Sequence, residues 1–373
     1  MHIAFCSHNA ELEGAPLHIL HIAMLFQREG HTVELFMPSN GPLRKLAAEA
    51  DIPTHVDPLL YSNDADSSVL EPGVTSHNPD FIVVSTLLGA RIIQLLHTER
   101  PDAENIIWII QESECHEIMR NNPYITPDTF ALVSAIVFVS DYTKKVYTQW
   151  NTGNMHMIHN GIDIDGIQQK MQQYNTASLR QQFGISDTAL VSTLIGSICP
   201  RKGQKEFILA ALETLEKLPR DCNAHFLIAG KLHPEYAQYF EEALKPAKDS
   251  GMIDRFHVLP EQKDPFEYYA CSDIYVCNSF IESFPLVILE AMACGLPIAA
   301  SNCYGIAEQI IHNESGLLHL SGNSSQLAGN LYTLLTNKEL RDLLGRNAQK
   351  RVSSLFSQER MLENYNNLLT TLT

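Results

Sequence analysis

Residues 278–297 read NSFIESFPLVILEAMACGLP. The stretch parses as the end of a short strand, a tight loop, and a helix that opens near Ser283 and Pro285 and stops at Gly295, ahead of Pro297. Glu290 is its anomaly. It is set among Leu286, Val287, Ile288, Leu289 and Met292, and an unpaired carboxylate on so apolar a face is very costly, so a polar partner must meet it. Glu282 stands at the mouth of the same helix, with Ser283, Phe284, Pro285 and Leu286 following it. Amides at a helix start point outward and carry the positive end of the dipole, which makes the loop an anion site with phosphate as its usual occupant. One carboxylate at the loop and a second about two turns inside the helix are placed to grip hydroxyls on either side of that phosphate. A sugar nucleotide has that layout.

At these residues a family resemblance becomes plain. ESFPLVILEAMACGLPI resembles the glutamate, seven residues, glutamate motif of family 4 retaining glycosyltransferases. A bare pair of glutamates at this spacing is weak evidence, and the surrounding FPLVILEAMACGLP makes the match specific. The resemblance covers nearly the whole chain, strong over residues 190–320 and moderate before them. It implies an α/β protein of the GT-B class, two Rossmann-like doubly wound domains facing across a cleft. The expected domains are residues 1–165 on the acceptor side and 166–356 on the nucleotide-sugar side, with a last helix over 357–373 packing back on the first. A length of 373 residues suits two domain cores on its own account.

Within the second domain, GSICPRKGQKEFILAAL reads as strand end, loop and helix, with Arg201 and Lys202 in the loop beside Gly203. These two resemble the family's diphosphate-gripping arginine and lysine. A guanidinium fork and a compact ammonium together suit the spread oxygens of a diphosphate. The loop LPEQKDP follows an apolar strand, and the resemblance places the nucleobase against backbone there, making Pro260 and Glu261 candidates. The turn CYGIAEQI resembles the family's glycine-containing closing loop, which implies that Gly305 lies near the sugar or phosphate.

The first half alternates apolar runs at 3–7, 32–37, 81–85, 105–110 and 135–140 with helical stretches, which argues a parallel sheet covered on both faces. The loop after the first run holds one glycine, Gly14, so it is not the GxGxxG dinucleotide fingerprint, and an oxidoreductase reading loses weight. EGAPLHILHIAMLFQREGHTVELF resembles the family opening, which makes Gly14 and Ala15 the backbone nearest donor and acceptor; His18 and His21 read as helix residues facing the rim. WIIQESECHEIM ends a strand at the carboxyl edge where α/β ligands bind. Relatives commonly carry a histidine near the transferred sugar where this chain has Gln111, followed by an acidic residue like Glu112. That departure leaves a glutamine contacting the sugar, or a weakened catalyst; His116 is a candidate to stand in, and Arg120 is uncommitted. Ser140 or Asp141 caps the helix after the 135–140 strand, and Asp163 reads as a cap rather than half of a metal pair with Asp165. YSNDADSSVLE, residues 61–71, reads as an exposed loop whose Asp64 and Asp66 are solvated.

Composition narrows the partners. The chain is 45% hydrophobic and 18% charged, and it has no apolar run of bilayer length, which points to a soluble cytoplasmic protein. Net charge is −17, and residues 1–165 carry 8 Lys+Arg against 21 Asp+Glu while the remainder carries 18 against 22. So acidic a first half argues against nucleic acid or an anionic membrane as partner and departs from relatives that dock on membranes through a basic first domain. Eight cysteines are scattered without metal or redox spacing, and sixteen histidines include no HExxH, so no metal is expected and no cofactor beyond the substrates.

The activity implied is that of a retaining hexosyltransferase moving a sugar from a nucleotide diphosphate sugar to a glycan or other hydroxyl acceptor. A UDP sugar is the commonest donor, with GDP and dTDP sugars open. Arg201 and Lys202 would neutralise the departing diphosphate without a metal, Glu290 would accept from ribose hydroxyls, and Glu282 would accept from the donor sugar. Two other readings stay open: a nucleotide-sugar epimerase on the same scaffold, and an inactive sugar-nucleotide-binding subunit, the latter suggested by Gln111.

Overall fold

The computed structural model describes residues 1–57, 60, 74–99, 105–150, 153–219, 221–262 and 264–373. The loop expected at 61–71, with Asp64 and Asp66, lies outside the described residues. Contacts divide the chain into two units, Met1–Asn160 with Gln358–Thr373, and Gly161–Ser357. A boundary after residue 165, as read from the sequence, would cut the helix Ile164–Met171; Asp163 caps that helix by accepting from the Gly166 amide at 2.9 Å, and the whole turn belongs to the second unit.

The first unit is built on seven parallel strands, β1 (His2–Cys6), β2 (Thr32–Met37), β3 (Thr54–Val56), β4 (Phe81–Ser85), β5 (Ile106–Ile110), β6 (Ala135–Phe138) and β7 (Met155–Met157). Their order is β3-β2-β1-β4-β5-β6-β7. The central strands FIVVS, IIWII and AIVF are apolar without alternation and buried throughout, as strands covered on both faces must be. Trp108 in β5 is fully buried and still satisfied, donating its indole N–H to the Thr86 carbonyl at 2.6 Å. The helix Gln358–Leu372 belongs to this unit, where Tyr365 meets Phe26 edge-on at 6.4 Å and His21 Nε2 stands 3.1 Å from Gln358 Oε1.

The second unit carries six parallel strands, β8 (Leu190–Ile195), β9 (Ala224–Ala229), β10 (Phe256–Leu259), β11 (Ile274–Cys277), β12 (Ile298–Ser301) and β13 (Leu317–His319), in the order β10-β9-β8-β11-β12-β13. In both sheets the winding reverses once, between β1 and β4 and between β8 and β11. Loops leaving adjacent strands on either side of such a reversal splay apart and open a crevice at the carboxyl edge, where α/β proteins bind ligands. The loops carrying Arg201 and Glu282 follow β8 and β11, so topology alone makes them neighbours.

The helix Leu286–Ala293 buries Ile288, Leu289, Ala291, Met292 and Ala293. Each large apolar side chain removed from water there contributes about 1.5–3 kcal/mol. That burial fixes the loop preceding the helix. Among the described residues no helix is long and apolar enough to cross a membrane, and all eight cysteines are free thiols.

Candidate active site

In the second unit the switch-point loops meet in an ion cluster. Glu282 Oε1 accepts from Arg201 Nη1 at 3.1 Å, from Ser279 Oγ at 3.0 Å and from Lys202 Nζ. Glu282 and Lys202 are mostly shielded, with side chains 12% and 14% exposed, whereas Arg201 is 46% exposed and reaches outward. Burial opposes the charge on Glu282, but Lys202 and Arg201 hold its carboxyl below the usual range. The sequence reading reserved the cations for a diphosphate and Glu282 for the sugar; the structure joins all three, because loops at one switch point bring unlike charges together.

The loop is pinned on every side. Arg201 Nη1 also donates to the Ile281 carbonyl at 3.0 Å, and the Phe280 amide returns a bond to the Arg201 carbonyl at 2.8 Å. Asn278 donates to the Gly203 carbonyl at 2.8 Å and is itself 2.8 Å from His319 Nε2. Gly203 has φ +67°, and a Cβ there would stand 2.2 Å from the Asn278 carbonyl oxygen, so only glycine fits beside Lys202. The Gly305 amide donates to the Glu282 carbonyl at 3.1 Å, bringing the turn after β12 to the cluster.

Behind it, the helix starts at Leu286 with Pro285 as its N-cap, without a side-chain cap and without an acidic residue in the first turn. Its first amides keep the anion-binding character of an uncapped helix start. Pro285 carries no N–H, so of the expected row at Ser283, Phe284, Pro285 and Leu286 it contributes shape alone; Gln309 Nε2 holds its carbonyl at 2.9 Å. The Phe284 ring is buried and packs edge-on to Phe356 at 5.4 Å, so the side chain belongs to the core and not to the loop's surface.

Glu290 finds the polar partner its setting demands. Tyr269, buried on the helix Phe266–Cys271, donates its hydroxyl to Glu290 Oε2 at 2.8 Å. Burial pushes the Glu290 carboxyl up, and the bond from Tyr269 offsets this in part. No signal in the sequence pairs these two. Glu261 lies exposed just after β10, and the neighbouring Pro260 carbonyl is held by Tyr268 at 2.6 Å.

In the first unit, Gly14 opens the helix Gly14–Arg28, which has no side-chain cap, and a Cβ at Gly14 would meet nothing within 4 Å. Ala15 is half-buried in the same first turn. His18 does not face a rim as read from the sequence: it is 2% exposed, and its Nδ1 lies 2.9 Å from Gln111 Nε2. Burial, with His21 adding to it, lowers its pKa to about 3, so the ring is neutral and accepts from the glutamine amide. Sequence reasoning missed this pair, since nothing in the 93-residue separation links the two. Glu112 is turned inward, accepting from the Leu87 amide at 3.2 Å and the Gln111 amide at 3.0 Å, and burial raises its pKa to about 7. His116 is exposed at the start of the short helix His116–Asn121, apart from that network.

The sequence model of the glycosyl transferases group 1 matches residues 175–351, which hold both glutamates and both cations. Over those residues the chain is similar to the glycosyl transferases group 1. Among curated relatives, N-acetyl-alpha-D-glucosaminyl L-malate synthase of Bacillus anthracis is 30% identical over 187 residues, covering 50% of this chain and 47% of that protein. Spore coat protein SA of Bacillus subtilis is 27% identical over 282 residues, covering 72% and 73%. The chain thus spans about half the length of the first of these relatives. Anabaena HepE, solved in complex with UDP and glucose, superposes with a TM-score of 0.83 at 21% identity over 100% of each chain. WaaG, a glycosyltransferase involved in lipopolysaccharide biosynthesis, gives 0.70 at 18% over 99% of each. At these identities the likeness establishes the fold, which is GT-B.

Proposed function

We propose that this protein is a retaining hexosyltransferase of the group 1 kind that moves a sugar from a nucleotide diphosphate sugar, a UDP sugar in the first place, to a hydroxyl of a glycan or similar acceptor. The observation that carries the reading is the convergence at one switch point of Arg201, Lys202, Glu282 and an uncapped helix start. A diphosphate shares its oxygens between the guanidinium fork, the ammonium and the first-turn amides, and these groups stabilise the charge that grows as the sugar departs. Glu290 accepts from the ribose hydroxyls with Tyr269 setting its orientation, and Glu282 accepts from the sugar as the cations turn to the phosphates. Two fixed cations supply here the neutralisation that a metal supplies elsewhere, so turnover proceeds without one. HepE, whose structures hold UDP and UDP-glucose, supports a uridine donor.

Retention follows from a front-face route: the acceptor hydroxyl attacks on the side the phosphate vacates, and that phosphate takes the proton. A second reading, a sugar-nucleotide-binding subunit without turnover, draws on Gln111, whose amide is engaged with His18. Incubation with a panel of UDP, GDP and dTDP sugars, with and without acceptor glycans, tests both. Release of nucleotide diphosphate with transfer of an α-configured sugar from an α-configured donor supports the transferase. Binding without release supports the subunit, and an isomerised sugar from donor alone would make the protein an epimerase.

A further inference from the structure

The first unit holds a group of side chains that the donor chemistry does not use. Glu34 on β2, His55 on β3 and His77 at the end of the turn Val74–His77 converge on the sheet face that carries Ala4 and Phe36. Their ligand atoms all lie within 4.8 Å of one another. His55 Nε2 is 3.3 Å and His77 Nδ1 3.0 Å from the same oxygen, Glu34 Oε1, and the two rings stand 4.5 Å apart. His2 on β1 takes the other oxygen, its Nε2 lying 2.9 Å from Glu34 Oε2. The His2 amide is itself tied to Asp80 Oδ2 at 2.7 Å.

We propose that Glu34, His55 and His77 form a site for a divalent transition ion of the zinc class, with His2 orienting the carboxylate from outside. Two nitrogens and one carboxylate oxygen are the donor types zinc takes, and a tetrahedral ion with bonds of about 2.0–2.1 Å sets its ligands roughly 3.3 Å apart, the spacing found between Glu34 and each ring. The Phe36 ring stacks on His55 at 4.6 Å and holds it in place. The four residues come from separate strands and a turn, so no spacing in the sequence displays them. An ion bound here would tie the edge strand β3 and the His77 turn to the body of the sheet.

The test is titration of the full chain with zinc chloride in the presence of a chromophoric chelator, together with zinc-edge absorption spectroscopy of the loaded protein. One tight equivalent is expected, with a coordination shell of nitrogen and oxygen only and the outer scattering of two imidazoles. His55→Gln and His77→Gln should each abolish that equivalent, and His2→Gln should weaken it roughly 10–100-fold, as loss of an orienting partner does. Circular dichroism confirms that the variants are folded, and the spectroscopy of the unaltered chain needs no variant at all. Sulfur in the shell, the same tight equivalent in the His55 and His77 variants, or no tight equivalent in the unaltered chain would each overturn the proposal.

Discussion

Tyr269 donates its hydroxyl proton to Glu290 at 2.8 Å, and this one bond is what lets a carboxylate sit on an otherwise apolar helix face. The arrangement favours binding over stability. Burial raises the Glu290 pKa, so between its unfolded value near 4.5 and the raised folded value the native state holds a proton that the unfolded chain has lost. The stability this group contributes is complete below the unfolded value and is lost as pH rises through the folded one.

Glu290→Gln should therefore melt at or above the unaltered protein at neutral pH, with the difference in Tm growing as pH is raised from 4 to 8. Its UDP affinity should fall about 10–100-fold, the scale of one lost hydrogen bond to a charged group. Thermal melts and calorimetric titration with UDP check the two halves. A variant that melts lower at every pH and binds UDP unchanged would make Glu290 a purely structural residue.

Glu282 should behave in the opposite sense. Its folded pKa is lowered, so its stabilising contribution is present above the unfolded value and lost as pH falls through the folded one. Glu282→Gln leaves mostly shielded Lys202 without its partner and should lower stability by about 3 kcal/mol, a drop of several degrees in Tm. UDP should then raise the variant's Tm by more than it raises that of the unaltered protein, since the diphosphate replaces the missing charge, while turnover of the UDP sugar falls. Equal UDP stabilisation in both proteins contradicts the competition between Glu282 and the phosphates.

The Glu112 carboxyl should titrate near 7. Carbon NMR of labelled glutamate would show a resonance with a midpoint near 7, well above those of exposed glutamates, and its loss in Glu112→Gln separates it from that of Glu290, which burial also raises. The stability Glu112 contributes falls as pH rises from about 4.5 to about 7. A midpoint below 5 for every glutamate would refute the buried placement.

Two glycines separate fit from freedom. Gly203→Ala forces a side chain into a positive-φ position against the Asn278 carbonyl and should cost about 1–3 kcal/mol, along with UDP binding. Gly14→Ala meets open space and should leave the melting temperature within a degree or two. Comparable melts for the two variants would mean that the 203 loop tolerates displacement.

Much of this was legible in the chain because the signals were local. Unbroken apolar runs such as IIWII announce parallel strands, the Pro285 to Gly295 bracket marks a helix, and Gly203 after Arg201 and Lys202 marks the turn from loop into helix. What escaped was everything set by tertiary proximity. Tyr269 beneath Glu290, Gln111 on His18, and Glu34 among three histidines join residues whose separation carries no periodic signal, and the inward turn of Glu112 depends on an amide at Leu87 in another loop. The domain boundary was misplaced for a related reason: a cap at Asp163 commits the following turn to the second unit before any composition shift shows it.

Calorimetric titration of the unaltered protein with UDP and with UMP, repeated on Arg201→Ala, tests the diphosphate grip most directly. The expected result is UDP bound at least tenfold more tightly than UMP, with that preference largely gone in the variant and turnover of the UDP sugar reduced about 10²–10³-fold. Equal affinity for the two nucleotides, or a preference for UDP untouched by removal of the guanidinium, would contradict it.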